Sequence, residues 1–196
     1  LTGIYQGMER PEYLLSYTCM KREPKKFYEF VKKVYHPDAK PNAIHQSIAS
    51  LEKKTFVWTI SQNIDGLHEK AGSNQLVNFH GSLYHCHSLK CGNPIAWTEY
   101  LQSDKHAICG GQIRPDITLY EEALSEQSIE QAIRAVSNIE LIVIVGTSVQ
   151  VHPFCDLIHY APETTTILVI NQTPIHIDRP YYFLKENALT TFKNIK

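Results

Sequence analysis

The chain has 196 residues, 43% hydrophobic and 20% charged, with a formal net charge of −1. That is enough for one good core and a small satellite module, and it lacks the basic excess that nucleic acid or an anionic membrane would call for. No apolar run approaches the roughly 18 residues of a membrane span, and an odd count of five cysteines argues against a disulfide framework and for a reducing compartment, so a soluble cytoplasmic protein is expected.

The opening "LTGIYQGMERPEYL" starts on leucine and reads as loop, punctuated by Gly3, Gly7 and Pro11, so an upstream piece is expected. Pro24 then opens a helix, "PKKFYEFVKKVY", with Phe27, Phe30, Val31 and Val34 on one stripe at three-and-four spacing. "PNAIHQSIASLEKK" repeats the pattern with Ile44, Ile48 and Leu51. The β-branched run "TFVWTIS" at 55 to 61 predicts a strand. Residues 83 to 112 break the pattern: they are rich in Cys, His and Gly and poor in periodic apolar residues, as in a small inserted module held by metal or by local packing. "ELIVIVGTS" at 140 to 148 is nearly continuous in apolar residues, as buried parallel strands are. A helix-like "HPFCDLIHYA" separates it from a third strand, "TTTILVIN", which ends at Asn171 before a turn at Thr173-Pro174. Strand, helix, strand implies a right-handed crossover, and an open α/β layer is the expected core.

The polar groups at the strand ends are the candidate site. Gly146, Thr147 and Ser148 stand at the carboxyl edge of a parallel sheet, where open α/β folds bind ligands; alternatively, Gly146 only ends the strand and Ser148 caps the next helix. Asn171 ends the next strand on the same edge, with a carboxamide suited to a ribose hydroxyl. "SQNIDG" also follows a strand and should direct Gln62, Asn63 and Asp65 to the same crevice, although Asn-Ile-Asp-Gly also makes a sound turn. His80, before Gly81, carries an imidazole able to take a hydroxyl proton near neutral pH. The other histidines at 36, 45, 68, 159 and 176 read as ordinary surface or core residues.

A structural zinc site takes four ligands, commonly from two C-x-x-C turns. Cys91 in "LKCGN" and Cys109 in "AICGG" are each followed by glycine, with 17 residues between them. Three positions before them stand Ser88 and His106. Cys86 could supply the missing ligand, as could His85 or His87. A Cys86/Cys91/His106/Cys109 zinc site and a metal-free vestige are both open readings.

"TISQNIDGLHEKAGSNQLVNFHGS" resembles the central segment of the sirtuins, the NAD-dependent protein lysine deacylases, with its Gln-Asn-Ile-Asp-Gly-Leu-His run, an Ala-Gly and a His-Gly pair. "CGGQIRPDITLYEEAL", "IVIVGTSVQVHP" and "LVINQTP" are similar to further family segments, in family order over essentially the whole chain. The resemblance implies a Rossmann-like open parallel sheet that binds NAD, over residues 1–82 and 113–196 with partly helical small-domain elements in 1–53. Residues 83–112 would be a zinc-ribbon-like module, and an acetyl-lysine peptide would enter the cleft between domains.

By the same resemblance, Gln62, Asn63, Ile64 and Asp65 would surround the nicotinamide and its ribose, and Gly146, Thr147, Ser148 and Asn171 would hold the adenosine half. His80 would be the general base. The acetyl oxygen would attack the ribose carbon as nicotinamide leaves, and His80 would activate a ribose hydroxyl so that deacetylated lysine and O-acetyl-ADP-ribose form. Ile117, Thr118, Leu119 and Tyr120 would pair with the substrate backbone as an added strand. The family's glycine-rich phosphate loop should precede Leu1. Tyr28 is followed at the third position by Val31 rather than Arg, which favours neutral acyl groups. ADP-ribosyl transfer or NAD hydrolysis would use the same pocket, and a non-catalytic NAD sensor is the alternative from another class.

Overall fold

A computed structural model describes residues 11–195; the loop expected over the first ten residues lies outside them. In chain order the elements are α1 (Pro11–Leu14), α2 (Tyr17–Arg22), α3 (Pro24–Val34), α4 (Ala43–Glu52), β1 (Thr59–Ser61), α5 (Leu67–Ala71), β2 (Leu76–Asn78), β3 (Gly81–Ser88), β4 (Pro94–Ala96), α6 (Trp97–Gln102), β5 (Ile113–Ile117), α7 (Glu126–Val136), β6 (Leu141–Val145), a 3-10 helix (Phe154–Tyr160), β7 (Thr166–Ile170), β8 (Tyr182–Leu184) and α8 (Ala188–Lys193). The described residues divide into two compact units, one of residues 11–39, 62–66 and 80–125, the other of 40–61, 67–79 and 126–195.

The first unit is built on an antiparallel sheet of order β4-β3-β5. Pro24 sits in the first turn of α3, where its missing N–H costs nothing, and the predicted stripe of Phe27, Phe30, Val31 and Val34 is buried. These side chains join Leu83, Cys86, Ile95, Tyr100, Ile113 and Ile117 from the sheet region in one core. Tyr35, just past α3, donates its hydroxyl to the Leu83 carbonyl and stacks against Trp97 and edge-on to Tyr84. Pro11–Leu14, where the opening loop is expected to pass into the partly helical elements of 1–53, is a helical turn, with proline at its first position.

The second unit holds the parallel strands. β6, β7 and β8 form a parallel sheet in that order, with Leu141 opposite Thr166 and Val145 opposite Ile170. β1 and β2 form a separate parallel pair, Thr59 opposite Leu76 and Ser61 opposite Asn78. The α/β class with parallel strands is therefore as expected, although among the described residues the pairing falls in two ladders. β7, the central strand of its sheet, buries Ile167, Val169 and Ile170. β6 departs from the expectation of a fully buried strand: among the described residues it is an edge, and Leu141 and Val143 are 48% and 42% exposed. A continuous apolar run states that neither face is polar, but not that both are covered.

Two further expectations are corrected. The strand predicted over 55 to 61 is ordered as β only from Thr59, because β2 supplies just three partners. In α4 the buried positions are His45 and Ala49, with Ile44, Ile48 and Leu51 half-buried at their flanks. His45 is fixed there by a reciprocal cap: the Asn42 side chain accepts from the His45 N–H while the His45 ring accepts from the Asn42 N–H at 3.2 Å.

Arg179 ties the second unit's loops together. Its guanidinium donates to the carbonyls of Ile158, Ala161, Pro162, Glu163 and Thr165 at 2.7 to 3.3 Å. Lysine cannot reproduce a planar fork with donors on two nitrogens. Arg179→Ala, which strands these carbonyls, should lower unfolding stability by about 2–3 kcal/mol, and Arg179→Lys should recover less than half of that; urea unfolding of the three proteins checks it.

Candidate functional site

The segment from Gln62 to Gly66 follows β1 directly, and His80 follows Phe79 at the end of β2. The parallel register continues past Ser61, whose carbonyl accepts from the Phe79 N–H at 2.8 Å. One residue further along each segment, His80 Nδ1 lies 3.2 Å from the Gln62 carbonyl oxygen. A carbonyl only accepts, so Nδ1 carries the proton, and a neutral imidazole then has its basic lone pair on Nε2. Burial pushes the His80 pKa below its usual value, against the opposing pull of the Gln62 carbonyl. The ring is therefore the neutral, proton-accepting form at pH 7.

The rest of the Gln62–Gly66 turn is fixed by packing. The Ile64 carbonyl accepts from the Leu83 N–H at 3.0 Å, and its side chain lies against the first unit's core. Gly66 has φ of 64° and sits so near the Tyr84 ring that a Cβ there would come within 2.9 Å. Asn63 is exposed, while Gln62 and Asp65 are half-buried. Asp65 lies close enough to Tyr84 for its charge, after burial, to help raise the phenol pKa.

At the other set of predicted residues, the ends of β6 and β7 meet. Gly146, with φ of 64°, donates its N–H to Ile170 at 3.2 Å, and the Asn171 side chain donates to the Thr147 carbonyl at 3.0 Å. Among the described residues, none beyond its chain neighbours has an atom within 4 Å of where a Gly146 Cβ would be, so the glycine is required by its backbone angle. Ser148 is exposed and caps nothing; the 3-10 helix begins six residues later with Pro153 at its cap.

The segment expected to receive a substrate strand is already engaged. The N–H groups of Thr118, Leu119 and Tyr120 bond to the His80 carbonyl, the Glu122 carboxylate and the Leu15 carbonyl, and the Tyr120 carbonyl accepts from Tyr17. Ile117 pairs with Gly81 within the sheet. The three N–H donors are engaged within the fold, and pairing of a substrate strand over Ile117–Tyr120 remains a proposal. Sequence reasoning missed the clamp behind this. Arg114 makes a two-pronged contact with Glu122, at 2.6 and 2.9 Å, and also donates to the Ile117 and Pro115 carbonyls. Burial would raise the Glu122 pKa, but Arg114 and the Leu119 N–H outweigh it and hold the carboxyl below its usual value. Glu121 has φ of 75° and is held by its carboxylate on the Thr18 N–H and hydroxyl. Only the spacing of Arg114 and Glu122 was legible, and a spacing of eight has no periodic meaning.

The cysteine module forms two matching turns. The Gly92 N–H bonds to Ser88 O, and the Gly110 N–H to His106 O, each at 2.8 Å, and both glycines have positive φ. Cys91 Sγ lies 3.5 Å from His106 Nδ1, which lies 3.2 Å from Cys109 Sγ, so three ligand atoms converge. The fourth corner is the fully buried Ser88, its hydroxyl 3.2 Å from Cys109 Sγ. Hydrogen bonding from Ser88, then from the Gly111 N–H and His106, overcomes burial and lowers the Cys109 pKa to about 6. Cys86 is not part of this group, which corrects the expected four-ligand set. It shares a face of β3 with Ser88 but lies one pleat repeat away, about 6.6 Å along the strand, where its thiol meets the Tyr35 hydroxyl at 3.6 Å inside the core.

An open parallel sheet with small and polar groups at its carboxyl edge, in a chain that also carries a tautomer-fixed histidine and a Gln-Asn-Ile-Asp turn, defines an α/β protein of the nucleotide-handling class. The chain belongs to the Sir2 family, whose profile matches residues 2–153. It is 62% identical over 195 residues to an NAD-dependent protein deacetylase of Enterococcus faecalis, spanning 100% of this chain and 82% of that protein. It is 52% identical to another from Listeria innocua, over 98% and 85% of the two chains. Among solved structures, a complex of a Sir2 homologue with NAD superposes with a TM-score of 0.83 at 28% identity, covering 95% of this chain and 76% of that one.

Gly81 is the position of closest approach in the site. With φ of 80°, a Cβ there would lie 1.9 Å from the Asp116 carbonyl oxygen. Gly81→Ala should push β3 and β5 apart beside His80 and destabilise the fold by about 3 kcal/mol or more, read as a lower midpoint in chemical denaturation.

Proposed function

We propose that the protein is an NAD-dependent protein lysine deacetylase that removes acetyl groups from lysine side chains of protein substrates, in the cytoplasm. The observation that carries the reading is the His80 Nδ1 contact with the Gln62 carbonyl, because it fixes the tautomer that leaves the basic lone pair on Nε2, as a general base requires, while burial favours the neutral ring. The names of the relatives above support the same activity. The five cysteines are all free thiols, which supports the reducing compartment, and no described helix is long and apolar enough to cross a membrane.

NAD, when bound, supplies an activated glycosidic bond whose ribose carbon accepts the acyl oxygen. The residues present suit it. Gly146 leaves open space at the end of β6, and Asn171 commits its side-chain N–H to Thr147, so that its Oδ1 faces the role of acceptor for a ribose hydroxyl. We assign Gly146, Thr147, Ser148 and Asn171 to the adenosine half and Gln62, Asn63, Ile64 and Asp65 to the nicotinamide half. His80 takes up a hydroxyl proton at Nε2 while Nδ1–H stays on Gln62, which keeps the ring from turning as its charge changes. Removal of neutral acyl groups is favoured because Val31, buried in the core, stands where an arginine would be needed to meet an acidic acyl chain.

We further infer that residues 83–112 act as the ribbon-like module and that Cys91, His106 and Cys109 hold zinc, with Ser88 at the fourth position. Two thiols and one imidazole suit zinc, and a serine hydroxyl is a poor replacement for the fourth. Ser88→Cys should therefore tighten zinc binding by more than about tenfold, measured as retention against a chelator.

His80→Ala should abolish formation of deacetylated peptide and O-acetyl-ADP-ribose, since the step it serves follows the departure of nicotinamide; a variant that deacetylates the peptide at the normal rate would overturn the assignment. In the unaltered protein the base form exists only above the His80 pKa, which burial holds below the ordinary 6.5. The acid limb of kcat/KM should thus fall below that value, with a flat profile from there through neutral pH, as initial rates across a pH series will test.

A further inference from the structure

A second cluster of metal-ligating side chains lies in the other unit, where nothing in the deacetylase reading uses it. His152, Cys155 and Asp156 each offer a ligand atom, all within 4.8 Å of one another. His152 Nδ1 is 2.9 Å from Asp156 Oδ2 and 3.2 Å from Cys155 Sγ, and Cys155 Sγ is 3.7 Å from Asp156 Oδ1. A tetrahedral zinc with ligand bonds of about 2.0–2.3 Å holds its ligand atoms about 3.3–3.8 Å apart, so little movement would close these three on an ion. We propose that this group is a second divalent-metal site, selective for zinc.

The local sequence explains the convergence. "HPFCD" leads into the 3-10 helix Phe154–Tyr160, whose three-residue turn stacks positions three apart. Cys155 and Asp156 stand in its first turn, and His152 lies in the turn just before it, which is closed by the Cys155 N–H donating to the Val151 carbonyl at 3.0 Å. The helix is fixed from beneath by Leu157 and Ile158, which are buried, and by Phe154, edge-on to Phe79 with ring centroids 5.4 Å apart. Cys155 and Asp156 are therefore carried on a packed element, with His152 on the turn that leads into it.

The cluster also borders a cavity of about 340 Å³ that His159, His176 and Asp178 line as well. His159 Nε2 is 3.8 Å from Asp178 Oδ1, placing a second imidazole and a second carboxylate on the same space. Three protein ligands with room for water or a fourth side chain is the form of an open zinc site. An ordinary surface His–Asp pair at this spacing would explain two of the groups. It would not explain a half-buried thiol meeting both of them, nor further histidine and aspartate side chains around one cavity. The mix of thiol, imidazole and carboxylate favours zinc over magnesium or calcium, which take oxygen ligands. On coordination, Cys155 releases its thiol proton to solvent and binds as thiolate.

The test is a cobalt(II) titration of the intact protein, since cobalt substitutes for zinc and a cobalt–thiolate bond gives a charge-transfer band. Cys155→Ala should bind one equivalent of cobalt less than the unaltered protein and lose part of the band, and zinc should displace the cobalt. Asp156→Asn should weaken that equivalent by more than about tenfold. His152 is largely exposed, so His152→Ala gives a second test free of any folding defect, confirmed by circular dichroism. A Cys91→Ser/Cys109→Ser protein should keep the Cys155 band, which separates the two clusters. Unchanged stoichiometry and band in both Cys155→Ala and His152→Ala would overturn the proposal.

Discussion

The parallel register of two three-residue strands decides the candidate chemistry. Because Ser61 accepts from Phe79, the next residue on each side is Gln62 and His80, and the Gln62 carbonyl is the group that the imidazole meets. A slip of one residue would turn His80 to the other face and break that contact. Everything that holds the turn contributes to one outcome, an imidazole with its lone pair on Nε2. Ile64 is anchored to Leu83, Gly66 lies against Tyr84, and Gly81 fits under Asp116.

The same logic of backbone first and chemistry second holds in the cysteine module. Its two turns close on matching hydrogen bonds from Gly92 and Gly110, and this geometry does not depend on what the first residue of each turn is. Ser88 and His106 therefore occupy ligand positions although one is a weak ligand and the other a strong one. The scaffold has kept the fourth corner, and the residue standing there sets how tightly a metal is held.

Much of the fold was legible where a pattern maps onto one element. The α3 stripe, the apolar β7 run and the polar ends of β6 and β7 are read directly from periodicity and from the place of Gly146 and Asn171. What was not legible depended on partners remote in sequence. The exposure of Leu141 and Val143 goes with β6 being an edge among the described residues. The loss of Cys86 as a ligand follows from one pleat of β3, and the engagement of Thr118 to Tyr120 follows from Leu15, His80 and Glu122. His152, Cys155 and Asp156 lay within a stretch read only as helix, since adjacent residues suggest a site only once the tightness of the turn is known. Arg179, with five carbonyls around it, carried no signal in the sequence.

The proposed reaction uses NAD to move an acetyl group from lysine to ADP-ribose. The most direct measurement is mass-spectrometric analysis of all products formed from NAD and an acetylated peptide. The account predicts nicotinamide, deacetylated peptide and O-acetyl-ADP-ribose in equal amounts, with none formed when the peptide is omitted. Free ADP-ribose released without peptide, or ADP-ribose attached to protein with the acetyl group still on lysine, would contradict it.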